Sequence, residues 1–169
     1  MIKKILLIAA LVLPMCAMAQ ELKIGIVNVD EVVQKMPEYT DAQTKFVETS
    51  KRYEDELAKL NEELKRRYDD IQNMPEDELE TIKERKVKEF QEYQVKIQQF
   101  TQTAEQEMGK VQQELMAPIE KKVSDAINSV GQEGNYSLIQ PNVSSIILYY
   151  SAPVVDITNA VKAKLGITN

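Results

Sequence analysis

Between Thr40 and Gln72 the chain has no glycine and no proline, and its apolar residues fall on a seven-residue grid. Phe46, Tyr53 and Leu60 recur at seven, as do Leu57, Leu64 and Ile71. Interleaved, they give the alternating three–four spacing of a coiled-coil seam, with Ser50 and Arg67 at its imperfect positions. Most other positions are Glu, Lys, Arg, Asp or Gln, so the segment reads as a long helix with one narrow apolar stripe. At Asn73-Met74-Pro75 the pattern stops, and a second helical pattern follows at once. Pro75 suits the first position of a helix, and Glu76, Asp77 and Glu78 complement its positive end. This second helix is expected from Pro75 to about Val130, with a stripe running from Leu79 through Phe90, Ile97 and Met108 to Ile127. A turn as short as Asn73 and Met74 forces the two helices to run antiparallel as neighbours. In the later part Tyr93, Ala104 and Leu115 recur at eleven, as do Ile97, Met108 and Ile119, a period that imposes little left-handed supercoil. Pro118 removes one backbone hydrogen bond and is expected to kink the helix around Glu114 to Ala117.

The flanking segments change character. The stretch "LKIGIVNV", residues 22–29, reads as a short strand apolar on both faces and so covered on both sides. Asp30 is the expected cap of a short helix that Pro37 ends. After the long helices, "YSLIQ" and "SIILYY" read as strands joined by the turn residues of "PNVS". "DITNAVKAKLG" reads as a terminal helix capped by Asp156 or Thr158, with Gly166 just past its end.

The expected fold is mainly α with a small β part. A long antiparallel coiled-coil hairpin arm, residues 40–117 with its tip at 73–75, stands on a small α/β body formed by residues 20–39 and 118–169. A body of about 70 residues is marginal alone, and two helices cannot fully cover each other's stripes, so an oligomer is expected, with its copy number open. Ile24, Ile26 and Val27, with Ile146, Ile147 and Leu148, are the residues expected to build the shared core.

The first residues carry an address. Lys3 and Lys4 precede an apolar run from Ile5 to Leu13, and Ala17-Met18-Ala19 forms an A-x-A cleavage signature, so residues 1–19 read as a secretory signal peptide. Lipid attachment at Cys16 is the lesser alternative, because Pro14 and Met15 make a poor acylation box. Cleavage after Ala19 removes two lysines and no acid, moving the net charge from −6 to −8, and also removes the one cysteine of a chain with no histidine and no tryptophan. Thiol nucleophiles, Ser–His pairs and zinc sites built on nitrogen and sulfur are excluded. The acidic balance argues against nucleic acid as a partner. Carboxylate pairs such as Asp69–Asp70 and Glu62–Glu63 show no sign of a buried cleft that would tune them for acid–base work.

Three constellations remain. Lys65, Arg66 and Arg67 precede the tip, and Lys83, Arg85, Lys86 and Lys88 follow it. Folding the chain about residues 74 and 75 sets 66 opposite 83 and makes one basic collar. It is either a client- or lipid-contacting patch or a solvated face paired with Glu62, Glu63, Glu84 and Glu89. Val47, Tyr68, Met74, Val87 and Val95 lie off the seam, as scattered contacts for an unfolded partner or as ordinary exposed surface. Pro118 is either a hinge or a fixed bend.

Three segments then look familiar. "KIGIVNVDEVVQKMPEYTDAQ", "PIEKKVSDAINSVGQEGNYSLIQ" and "VVDITNAVKAKLG", in this order, resemble the Skp/OmpH family of periplasmic chaperones, over essentially the whole chain after the leader. The resemblance implies a jellyfish-like homotrimer whose bodies join in a shared β core and whose arms surround a cavity. It implies a periplasmic, ATP-independent holdase for unfolded outer-membrane β-barrel proteins, without a cofactor and without enzymatic activity. Well-known members are basic where this chain is acidic, and no residues here match the family's lipopolysaccharide-binding positions, so membrane or lipopolysaccharide contact stays open. The alternatives are an envelope adaptor or structural protein that binds one folded partner, and a carboxylate enzyme.

Overall fold

A computed structural model describes residues 22–142, 147 and 149–167. The leader at 1–19, Cys16, Ile146 and Leu148 lie outside the described residues. The elements run β1 (Ile24–Val27), α1 (Val29–Gln34), α2 (Pro37–Gln72), α3 (Glu80–Glu133), β2 (Leu138–Pro141), β3 (Val154–Asp156) and α4 (Thr158–Lys164). The fold is therefore mainly helical, with two long helices and one small sheet. The chain divides into two compact units, one holding the described residues up to Val32 together with those from Val123 onward, the other spanning Val33–Lys122.

In the first unit β1 is central. β2 and β3 flank it, both parallel to it, with Ile24 opposite Leu138 and Val154, and Ile26 opposite Gln140 and Asp156. Parallel neighbours require long crossovers, and the long helices provide the one from β1 to β2. Gly25, Ile26 and Val27 are buried, as expected of a strand apolar on both faces. Gly25 has no room for a side chain: a Cβ there would stand 3.1 Å from Ile139 Cγ1 and 3.2 Å from Tyr136 Cδ1. The Lys23 ammonium sits 4.2 Å from the centre of the same Tyr136 ring and donates to the Gly134 carbonyl at 2.8 Å. The unit's buried apolar residues are Ile26, Val27, Val32, Ile157 and Val161, with Val123, Ala126 and Val130 at helical spacing on α3.

Two features of this unit depart from the sequence reading. The third strand among the described residues is Val154–Asp156; of the expected strand "SIILYY", Ile147, Tyr149 and Tyr150 belong to no strand, and Ser145, Ile146 and Leu148 lie outside the described residues. A short apolar run signals burial but does not distinguish a strand from other buried or contacting chain. Nor do the later strands form a hairpin. Each takes one edge of β1, and the Asn142 amide extends the β2 ladder by donating to the Val27 carbonyl at 2.7 Å. The second departure is the cap of α1. Asp30 is already helical, and Asn28 caps instead, its Oδ1 accepting from the Glu31 amide at 3.1 Å.

The helix ends follow their chemistry. Asp156 Oδ1 accepts from the Thr158 amide at 2.9 Å and from its hydroxyl at 2.6 Å, and that hydroxyl accepts from the Asn28 amide at 2.9 Å. α4 closes with Gly166 at φ 72°, the Ile167 amide bonding to the Lys162 carbonyl and the Gly166 amide to that of Ala163, which is a Schellman motif. α3 closes the same way around Asn135 at φ 52°, with Tyr136 bonded to Gly131 and Asn135 to Gln132. Lys162 is 6% exposed, and its ammonium meets Glu31 Oε1 at 2.8 Å.

In the second unit α2 begins at Pro37, earlier than the expected Thr40, because proline at the first helical position gives up an amide that has no partner there anyway. α3 begins at Glu80, not at Pro75. Residues 73–79 instead form a connection in which the Glu78 amide bonds to the Pro75 carbonyl, and Leu79 supplies the first helical carbonyl, to Ile82 and Lys83. α3 remains one helix through Pro118.

Candidate client-binding surface of the helical hairpin

The pairing of α2 with the Glu80–Lys122 part of α3 is antiparallel. Glu38 pairs with Lys122, the Tyr53 and Phe100 rings lie 6.1 Å apart, and the Tyr68 and Phe90 rings 6.0 Å. The seam residues Phe46, Ser50, Tyr53, Leu57, Leu64, Arg67 and Ile71 are half-buried and Leu60 is 6% exposed. On α3 the stripe from Ile82 to Ile119 is likewise half-buried or buried. Leu79 differs: it lies in the connection and is 66% exposed.

Arg66, Arg67 and Lys86 line one polar concavity, and Arg67 and Arg85 both meet Glu89, but the fold is not about residues 74 and 75. The longer connection shifts the register, so Arg67 faces Glu89 and Tyr93, and Asp70 faces Lys86. Arg66 pairs with Glu62 at 2.9 Å, Arg67 with Glu63 at 3.2 Å, Arg85 with Glu89 at 3.8 Å and Lys86 with Asp70 at 3.4 Å. The Lys83 ammonium donates to the Glu76 carbonyl at 3.0 Å, and Lys65 is exposed. Most of these charges are thus engaged along the helix surface at spacings of three and four or across the pair. The Arg67 guanidinium also stacks 4.6 Å from the Tyr93 ring, which explains how an arginine occupies a seam position.

The off-seam apolar residues do not form one run: Tyr68 and Val87 lie at the same level of the pair, since Tyr68 meets Phe90 three residues on from Val87, while Val47 and Val95 lie elsewhere along it. Val47, Tyr68, Val87 and Val95 are exposed, and Met74 is half-buried in the connection. One concavity of about 640 Å³ lies nearer the other end, lined by Tyr39, Gln43, Phe46, Val47, Leu115 and Met116 among others. The sequence reading missed it, although Tyr39, Gln43 and Val47 are spaced by four and so share a face. Pro118 is exposed and lines a smaller groove with Glu38, Leu115 and Lys122. The Lys122 hydrogen bond, above all, holds the Glu38 carboxyl below its ordinary value. Hydrogen bonding to Glu107 raises the Lys110 ammonium above its own.

Of the residues expected to build a shared core, Ile26 and Val27 are each 2% exposed within the first unit, while Ile24 and Ile147 are half-buried. Among the described residues of that unit, Leu22, Leu138, Tyr149, Tyr150 and Val155 are large apolar residues that stand exposed. Among the described residues no group of acidic, histidine or cysteine side chains is placed to hold a metal ion, and no helix is long and apolar enough to cross a membrane.

Comparison with curated proteins found no match. The family model described as outer membrane protein (OmpH-like) matches residues 23–165, from the residue before β1 to the residue after α4. Sheet, paired long helices and terminal helix all fall inside that match, and the chain belongs to the OmpH-like family.

Proposed function

We propose that the protein is an ATP-independent periplasmic holdase that encloses unfolded outer-membrane β-barrel proteins and prevents their aggregation. Family membership supports a chaperone role in outer-membrane protein biogenesis, in the cell envelope. The observation that carries the finer reading is the hairpin surface, where Val47, Tyr68, Leu79, Val87 and Val95 stand exposed. A holdase needs many weak apolar contacts, whereas one large patch would aggregate the chaperone itself. Met74 and the half-neutralised run Lys65, Arg66, Arg67, Lys83, Arg85 and Lys86 supply adaptable and polar contacts around them. In this reading residues 1–19 direct export, three chains associate through the small sheet, and Pro118 lets the hairpin adjust to client size. Exposed Leu138, Tyr149 and Val155 offer the uncovered apolar area that association needs.

The test is direct. Protein lacking residues 1–19 is mixed at near-stoichiometric amounts with a urea-diluted outer-membrane β-barrel protein, and light scattering and mass in solution are followed. Suppressed scattering and a mass of three chains that rises on client addition are expected. No suppression across several unfolded clients refutes the reading, and binding of a single folded partner instead establishes an adaptor.

A further inference from the structure

The charges on α3 are sorted by face. Gln91, Val95, Gln98, Gln102, Gln106 and Gln113, with Gly109 between the last two, are spaced by three or four and therefore lie on one side of the helix. All are exposed. Over the same span the ionised residues Glu92, Lys96, Glu107, Lys110 and Glu114 fall on the neighbouring flank, where Lys110 pairs with Glu107 at 2.7 Å and Lys96 lies 5.1 Å from the Tyr93 ring. Glu105 is the one ionised residue at the margin of the glutamine face. In a chain of which 28% is charged, a face this long without charge is a departure from the prevailing surface. It leads into the apolar concavity, whose α3 wall is Gln112, Leu115 and Met116 and whose α2 wall includes Tyr39, Phe46 and Val47.

Resting on the holdase reading, we propose that this glutamine face and the concavity at its end hold one extended, transmembrane-strand-length segment of an unfolded β-barrel protein. Three physical matches select that occupant. From Gln91 to Gln113 the face is about 33 Å long, and a membrane-spanning strand of about ten residues at roughly 3.3 Å per residue has the same length. Each glutamine carboxamide both donates and accepts, which suits the unpaired amides and carbonyls of an extended backbone. Every second side chain of such a strand turns toward the face, and an apolar one at its end reaches Leu115, Met116 and Val47 of the concavity. Charge complementarity agrees: a neutral face meets a client of either sign without stripping water from an unpaired ion.

The test uses the assembled protein without residues 1–19 and a urea-unfolded outer-membrane β-barrel protein. Photo-crosslinking p-benzoylphenylalanine is placed at Gln102 or Gln113 on the neutral face, and at Thr103 or Lys110 on the charged flank. Client adducts from the first two are expected to exceed those from the second two by about fivefold, the span of roughly 1 kcal/mol of preference. The triple variant Gln98→Glu, Gln102→Glu, Gln106→Glu is expected to need about tenfold more chaperone for half-suppression of aggregation, with helix content unchanged. Its control, Gln99→Glu with Thr103→Glu, leaves the requirement as it was. Equal or stronger adducts from the charged flank, or an unaltered triple variant, overturn the docking face while aggregation suppression preserves the holdase reading. Absence of suppression by the unmodified protein overturns both.

Discussion

Two glycine-to-alanine substitutions should change stability in opposite directions. Gly109 lies inside α3, and an added Cβ there meets nothing within 4 Å. Alanine is favoured over glycine in a helix interior by about 0.8–1.0 kcal/mol, so Gly109→Ala stabilises by about that amount. Gly25 lies in the central strand, where the added Cβ would press on Ile139 Cγ1 at 3.1 Å and Tyr136 Cδ1 at 3.2 Å. The ring has little room to retreat. On another side it meets Gly134, where a Cβ would stand 2.3 Å away, and the Lys23 ammonium lies 4.2 Å from its centre. Overpacking of this kind costs about 1–3 kcal/mol, and the stiffer unfolded chain returns about 0.4–1, leaving a net loss of at most about 2.6 kcal/mol and about 1.3 at mid-range. Urea unfolding followed by far-ultraviolet circular dichroism, at one fixed chain concentration, reads both shifts as midpoints of opposite displacement. A Gly25→Ala protein whose midpoint rises alongside that of Gly109→Ala refutes the close approach of Tyr136 to β1.

Two further outcomes are expected. Glu31→Ala leaves the buried Lys162 ammonium without its carboxylate, and because Glu31 itself is exposed the screened loss is about 1–2 kcal/mol, whereas Lys162→Met keeps the apolar stem, leaves only a solvated carboxylate and costs less than about 1, so urea midpoints should rank in that order. Glu38 titrates below its ordinary value while Lys122 is present, so its small, solvent-screened contribution is complete above that ordinary value and fades as pH falls through the lowered one. Carboxyl-carbon NMR titration checks this, and Lys122→Ala should return Glu38 to the ordinary range.

The long helices were legible because their information is local. A heptad grid from Phe46 to Ile71 and an uninterrupted polar remainder specify helix and buried face together, and the same residues are half-buried or buried in the structure. The terminal helix was legible for the same reason, with Asp156 before it and Gly166 after it. Strand identity and register were not, because they depend on partners far away in the chain. "SIILYY" is more apolar than "VVD", yet the latter pairs with β1 and brings Asp156 to the amide of Thr158. The Pro75 start failed because Pro75 closes a separate turn with Glu78, leaving Leu79 to lead into α3; the basic residues consequently meet different partners from those a two-residue turn would give. Of the candidate surface, the exposure of Val47, Tyr68, Val87 and Val95 could be read from their positions off the seam. The concavity beside Val47 needs side chains from both helices, and the four-residue spacing of Tyr39, Gln43 and Val47 marks only one of its walls.

The placement of β1 in the middle of its sheet governs when this protein can finish folding. Lys23 waits for a carbonyl 111 residues downstream, and Asn28 for a hydroxyl 130 residues downstream. The helical pair can zip up from its short connection outward, each contact closing only a small further loop, while joining β1 to strands beyond the pair comes late and slowly. A chain emerging from a narrow conduit in N-to-C order therefore holds its first strand unsatisfied until nearly the last residue has emerged. Completion of the sheet requires the chain through Asp156, and a chain truncated before Val154 leaves one edge of β1 without its partner.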